Sequence, residues 1–214
     1  MKFVCFLFLM IGFLALSQSP ERFDNEVEAI QKKYDSLWDA SNETIVFTGS
    51  SSIRIWKNLE QHFPGRQIVN SGFGGSQASD LLAHLDKLVL RFNPEKVFIY
   101  EGDNDISAKK RPGQIIKTTN TIINRIKEQN KNVKIVLITA KPSISRWGLR
   151  RKYRRLNRKF KKLSKKDPNI DYADVWKPML NGRKVKQDIF IEDGLHMNDK
   201  GYKLWYDVIK NHMD

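Results

Sequence analysis

The chain has 214 residues, 38 Lys and Arg against 24 Asp and Glu, a net charge of +14 and 40% apolar residues. That apolar share excludes a disordered chain, the ordinary Gly (12) and Pro (7) contents exclude a collagen-like or low-complexity one, and a single Cys excludes a disulfide scaffold. The length fits one domain with its own core.

Residues 3–16 carry no charge and follow a lone basic residue, Lys2. The run is too short to span a bilayer, which takes about 20 residues. It has the pattern of a secretory apolar region, with small side chains at Ala15 and Ser17 placing cleavage after Ser17. Residues 1–17 are therefore expected to be a signal peptide, and residues 18–214 one exported domain, periplasmic or extracellular. Cys5 leaves with the signal, so thiol chemistry is not expected of the mature chain.

Over residues 20–40 apolar side chains recur at Phe23, Val27, Ile30, Tyr34, Leu37 and Trp38, mostly in steps of three and four that predict an amphipathic helix. Residues 45–48 form a short apolar run closed by Gly49 and read as a buried strand; Ile53, Trp56 and Leu59 follow at helical spacing. Residues 67–70 read as a second strand. Residues 79–91 read as a helix with Ser79 as a candidate cap, and residues 96–100 as a third strand. A helix over 112–129 starts with Pro112 in its first turn. A fourth strand over 133–139, a helix over 149–163, a strand over 170–173 and a closing helix over 201–212 complete the chain. Strands that are unbroken apolar runs and alternate with helices predict an α/β fold, three layers around a central parallel sheet of about five strands.

Such sheets bind ligands beyond the carboxyl ends of their strands. The segments found there are Gly49-Ser50-Ser51-Ser52, Asn70-Ser71-Gly72-Phe73-Gly74-Gly75-Ser76, Glu101-Gly102-Asp103-Asn104-Asp105 and Lys141-Pro142-Ser143, with a further polar cluster at Asp193-Gly194-Leu195-His196. Singly, each has a structural reading: a Ser after a strand caps a helix, glycines satisfy positive φ, and Asn and His serve turns and surfaces. Jointly they hold the parts of a serine hydrolase. A Ser at a strand-to-helix turn can attack, a His can take its proton, a carboxylate can orient that His, and Gly-rich N–H groups or an Asn amide can hold an oxyanion.

Four of these five segments, those holding Ser51, Gly75, Asn104 and His196, resemble in this order the SGNH hydrolases, also called GDSL-type lipases and acylhydrolases. The resemblance covers about residues 45–206 and implies a flavodoxin-like fold. It implies Ser51 as nucleophile, His196 as base and Asp193 as its partner. The oxyanion hole would consist of the N–H groups of Ser51 and Gly75, with Gly74 as the neighbouring alternative, and the Asn104 amide. It implies no cofactor and no metal. Within the family, the first block ending in Ser51-Ser52-Ile53 and the Arg146-Trp147 pair look like the subgroup of platelet-activating-factor acetylhydrolase alpha subunits. Ser50 departs from the family motif, which has Asp there, and Ser52 adds a neighbouring hydroxyl.

The activity so implied is hydrolysis of a small ester, with short acyl groups such as acetyl on a sugar or lipid. Two other readings use the same residues. Glu101, Asp103, Asp105, Asp193 and His196 could serve a metal-dependent phosphoesterase. A catalytically inactive module could instead bind through the stretch 146–166, which holds twelve Lys or Arg in 21 residues. Because apolar residues there keep to steps of three and four, the charges share one helix face, either simply solvated or attracting an anionic surface, phospholipid or acidic polysaccharide. Nucleic acid is not an expected partner, since no binding module is present.

Overall fold

Five apolar runs become five strands in the computed structural model, which describes residues 19–214: β1 (Thr44–Gly49), β2 (Gln67–Gly72), β3 (Lys96–Tyr100), β4 (Lys134–Ile138) and β5 (Ile170–Ala173). The expected signal peptide, residues 1–17 with Cys5, lies outside the described residues. The strands pair in the order β2-β1-β3-β4-β5, each pair parallel. β1 and β3 are buried along their whole length, as unbroken apolar strands are when helices cover both faces.

The helices run in order α1 (Asp24–Leu37), α2 (Ser51–Arg54), α3 (Ala78–Ala83), α4 (Leu85–Leu88), α5 (Asp103–Ser107), α6 (Pro112–Gln129), α7 (Arg150–Ser164) and α8 (Asp199–Ile209). Strand side chains alternate between two cores. Val46, Val69, Val97, Ile135 and Leu137 join residues of α1, α3, α4, α6 and α7. Ile45, Phe47, Ile68, Phe98 and Val136 join Ile53 of α2 and Tyr202, Trp205 and Ile209 of α8. Phe47 and Phe98 are register partners across β1 and β3, with rings stacked at 4.3 Å; such a pair adds about 1 kcal/mol beyond its buried area.

The expected three-layer α/β/α architecture is present, with differences in detail. The helix expected over 79–91 is two short helices, α3 and α4, followed by a 3-10 turn at Leu90–Phe92. The break falls at His84, which is buried and whose Nε2 lies 3.0 Å from the Pro20 carbonyl; this tertiary contact overrides a continuous helical pattern. Gln77, not Ser79, is the N-cap of α3, and its N–H donates to Asp80 at 2.9 Å. The start of the first expected helix is a 3-10 turn, Pro20–Phe23, and the closing helix begins earlier, at Asp199, where the Asn198 side chain accepts the Gly201 N–H. After Ser51 only one helical turn forms. The short α5 and a two-strand hairpin, β6 (Leu180–Asn181) with β7 (Lys184–Val185), had no clear periodicity to announce them.

β1 leads to β2 on one side while β3 lies on its other side, so the strand order reverses between β1 and β3. Crevices of parallel sheets form at this point, beyond the carboxyl ends. There Gly49 has φ of +120°, and a Cβ on it would fall 2.1 Å from the Tyr100 carbonyl oxygen. Only glycine lets the end of β1 press so closely on the end of β3.

Candidate active site

Past Gly49 the Ser50 N–H donates to the Tyr100 carbonyl at 3.0 Å, which turns the chain and starts α2 at Ser51. Ser51 Oγ lies 2.8 Å from His196 Nε2, and His196 Nδ1 lies 2.5 Å from Asp193 Oδ2. The sequence-predicted Ser51, His196 and Asp193 thus form one hydrogen-bonded line. It is open to solvent: the His196 and Asp193 side chains are 25% and 42% exposed. The neighbouring Ser52 is buried and points no hydroxyl at His196; its carbonyl accepts the Tyr202 hydroxyl of α8 at 2.9 Å.

The loop carrying Asp193 and His196 is built to hold its shape. Asp193 Oδ1 accepts the N–H groups of Leu195 and His196, both at 2.8 Å. The Ile191 N–H closes the turn onto the His196 carbonyl at 2.9 Å. Burial works against the Asp193 charge, but these two N–H groups and the imidazole outweigh it and hold the carboxyl below the usual carboxylate range. Asp193 is therefore an anion at neutral pH, suited to fix the imidazole tautomer.

Two glycines compete as N–H donors beside Ser51. The Gly74 N–H is engaged, 3.0 Å from both carboxylate oxygens of Glu26 in α1. Gly75 stands at φ of +71°, and among the described residues neither its N–H nor that of Ser51 has an acceptor. Gly75, rather than Gly74, is left to donate.

Asn104, in α5, is fixed from both ends of its amide. Its Oδ1 accepts Arg146 Nη1 at 3.0 Å, while Nδ2 donates to Ser50 Oγ at 2.6 Å and to the Ser76 carbonyl at 2.9 Å. Ser50, where the family motif has Asp, thus takes one amide hydrogen. Arg146 is itself anchored on Asp103 at 2.6 Å. Buried Asp103 also accepts the hydroxyls of Tyr153 at 2.6 Å and Tyr100 at 2.9 Å and has Lys141 Nζ at 3.6 Å. Burial favours neutral Asp103, yet Lys141, Arg146 and the Tyr153 hydroxyl hold it ionised below the usual range. Lys141 Nζ donates in turn to the Leu195 carbonyl at 2.6 Å, inside the His196 loop. One buried carboxylate therefore braces both the Asn104 and the His196 sides of the site. The sequence offers Arg146 as one of twelve cations and as half of the Arg146-Trp147 pair, and Lys141 as part of a strand-end segment, but names neither as a partner of Asp103.

The five groups considered for a metal are dispersed. Asp103 is occupied by cations and hydroxyls, Asp105 accepts the Ala78 N–H and pairs with Lys110, Glu101 accepts the Ser76 hydroxyl, and Asp193 pairs with His196. Among the described residues no three His, Cys, Asp or Glu converge as a metal site. The remaining histidines serve elsewhere: His62 packs on Trp56 and Tyr206, His84 meets Pro20, and His212 bonds Asp171.

Comparison with known proteins bears on the family and the fold. The model of the GDSL-like Lipase/Acylhydrolase family matches residues 35–204. A Streptococcus pneumonia structure provisionally described as a platelet activating factor is 22% identical, with 91% of this chain and 95% of that chain covered and a TM-score of 0.78. A GDSL-like lipase from Bacteroides thetaiotaomicron is 19% identical, covering 91% of this chain and 96% of that chain at a TM-score of 0.72. A carbohydrate esterase family 3 protein from Talaromyces cellulolyticus is 16% identical, covering 80% and 96% at 0.64. At these identities the structural likeness is one of fold. No curated protein matches the chain.

Glu101, beside this network, carries a testable charge state. Burial, and then the nearby Asp105 charge, push its carboxyl well above the ordinary range, so the folded protein holds it neutral. With more protons bound folded than unfolded, stability falls as pH rises through the ordinary Glu value and levels off only above the folded one. Glu101→Gln removes that loss. Denaturant unfolding at about pH 4 and about pH 8 should therefore show the variant gaining on the parent as pH rises. A difference that is the same at both would mean that Glu101 titrates in the fold as it does in the unfolded chain.

Proposed function

The chain belongs to the GDSL-like lipase/acylhydrolase family, whose members cleave esters, and from that premise we propose that it is an exported serine esterase acting on short acyl groups, acetyl above all, of a sugar or lipid. The observation that carries the mechanism is the Ser51–His196–Asp193 line, at 2.8 and 2.5 Å. Ser51 Oγ attacks the ester carbonyl as His196 Nε2 takes its proton, and Asp193 stabilises the imidazolium. His196 then returns the proton to the departing alcohol. Water, deprotonated by His196, releases the acid from the acyl-enzyme and restores Ser51.

The oxyanion is held by the free N–H groups of Ser51 and Gly75. Asn104 joins them by releasing Ser50 Oγ, while Arg146 keeps its amide from flipping. α2 is a single turn, so these N–H groups, rather than a long helix dipole, supply the stabilisation. Two features favour a short acyl group. The exposed large apolar side chains flanking the His196 loop are Ile144 and Ile191, too small a surface for a long chain. An acetyl esterase is also among the structural neighbours. Export is supported by the charge-free run over residues 3–16 behind Lys2.

Ser51→Ala should lower kcat/KM for p-nitrophenyl acetate by about 10⁴-fold or more, with excess chelator present in both assays. A variant retaining most of its activity would remove Ser51 as nucleophile. Arg146→Ala should lower kcat by about 10-fold to 100-fold with KM little changed, because the loss falls on the oxyanion donor and not on substrate binding. Arg146→Lys should recover little, since the shorter lysine sets its ammonium back from the place between Asp103 and Asn104 that Arg146 Nη1 takes. A rise in KM with kcat unchanged would make Arg146 a substrate contact instead. N-terminal sequencing of protein recovered outside the cytoplasm should begin at Gln18; a start at Met1 would overturn the cleaved signal.

A further inference from the structure

α7 carries its charges at a cost to itself. Arg150, Arg151 and Lys152 occupy its first turn, where the helix dipole favours acids. Arg150, Arg154 and Arg158 follow at four-residue spacing, where each like-charge pair destabilises a helix. Of the twelve cations from Arg146 to Lys166, Arg146 alone has an ion-pair partner among the described residues. Acids near α7 are committed elsewhere, Asp167 to Lys127 and Asp171 to His212.

These cations do not line a flat face. Arg150, Arg154, Arg158 and Lys161 form one wall of a groove of about 740 Å³, and Lys177 and Arg183, beyond β5 and in the β6–β7 turn, stand on the other. Trp147 and Trp176 line it too, stacked on each other at 6.2 Å, with the Arg150 guanidinium 5.3 Å from the Trp147 ring. A single acid, Asp174, faces this positive lining, its Oδ1 already accepting the Trp176 and Lys177 N–H groups.

We propose that this groove is a binding site for an anionic polysaccharide, a glycan chain bearing carboxylate or sulfate groups. The row from Arg150 to Lys161 extends ~16 Å along the helix, enough for several sugar units. Guanidinium forks match carboxylate and sulfate oxygens. Asp174 can accept from the hydroxyls that sugars carry between their acidic groups. The tryptophans pack on each other, and Trp176 is only 8% exposed, so the groove lacks the open aromatic platforms on which bases of single-stranded nucleic acid stack. It is concave, and the exposed large apolar residues, Leu37, Ile144 and Ile191, lie outside it, so nothing in it inserts into a bilayer. The groove opens past the carboxyl end of β5, the same rim of the sheet as Ser51, three strand spacings or ~14 Å across from β1. The proposal goes beyond the esterase reading and does not depend on it.

The test measures binding by the mature chain, unsubstituted and as Ser51→Ala, to polygalacturonate, dextran sulfate, neutral dextran, an oligothymidylate and phosphatidylglycerol vesicles at fixed salt. Saturable binding to at least one acidic glycan and none to neutral dextran is expected, in both proteins alike. The triple variant Arg154→Gln, Arg158→Gln, Lys161→Gln should weaken it by about tenfold or more, since three charge contacts are lost. The charge-matched control Lys57→Gln, Lys87→Gln, Lys131→Gln should leave it nearly unchanged. Trp147→Leu, which keeps every charge but removes the ring against which the Arg150 guanidinium rests, should also weaken it. The groove triple should keep the parent's circular dichroism spectrum and denaturant midpoint, which shows that it is folded. Equal loss in the control triple would reduce the effect to net charge and overturn the proposal. So would absence of binding to either acidic glycan, or tighter groove-dependent binding of the oligonucleotide or the vesicles.

Discussion

The geometry of the site depends on one close approach, the end of β1 against the end of β3. Gly49 permits it, since any side chain there would enter the Tyr100 carbonyl, and the Ser50 N–H then bonds that same carbonyl. The contact lies where the strand order reverses, so the turn after β1 and the turn after β3 face one crevice. Ser51 comes from the first turn and Asn104 from the second, and the bond from Asn104 to Ser50 joins the two directly. The packed Phe47–Phe98 pair below makes the approach rigid, because neither strand can slide without breaking that stack.

A second constraint acts from beneath. An isolated carboxylate as deeply buried as Asp103 would be costly, and it is tolerated because two cations and two tyrosine hydroxyls satisfy it. Each of those cations has a second bond on an element of the site, Arg146 on the Asn104 side chain and Lys141 on the Leu195 carbonyl. Asp103 is thus a common anchor for parts of the chain nearly a hundred residues apart. The Asp193–His196 loop needs this support, since its own bonds define its internal shape but not its distance from Ser51.

Much of this was legible in the sequence, and the limits of that legibility are physical. The strands could be read because burial on both faces demands unbroken apolar runs, and the site blocks because a parallel sheet gathers its chemistry at strand ends. The choice between Gly74 and Gly75 could not be read locally. It turns on Glu26, which reaches across from α1 to engage the Gly74 N–H. Nor could the break at His84, which a contact with Pro20 imposes, nor the reach of the Arg146 guanidinium to Asn104. In each case the deciding partner is distant in sequence, and side-chain type alone does not name it.

The distribution of charge divides the molecule in two. Elsewhere many cations meet acids, as in the Arg91–Asp35, Arg125–Asp86 and Lys127–Asp167 pairs, the unpaired ones being scattered, and at the site every charge has a partner that sets its orientation. On α7 that rule stops at Arg146. The helix buries Tyr153, Leu156 and Phe160 and is tied to the end of β4 by the paired bonds between Asn157 and Ala140, so its packing needs none of the eleven cations that follow Arg146. A solvated face would require neither so many like charges in succession nor a groove with cations on its opposite wall. Partnered charge serves the reaction, and unpartnered charge gathered along a concave surface is what a ligand of opposite sign would need to find there.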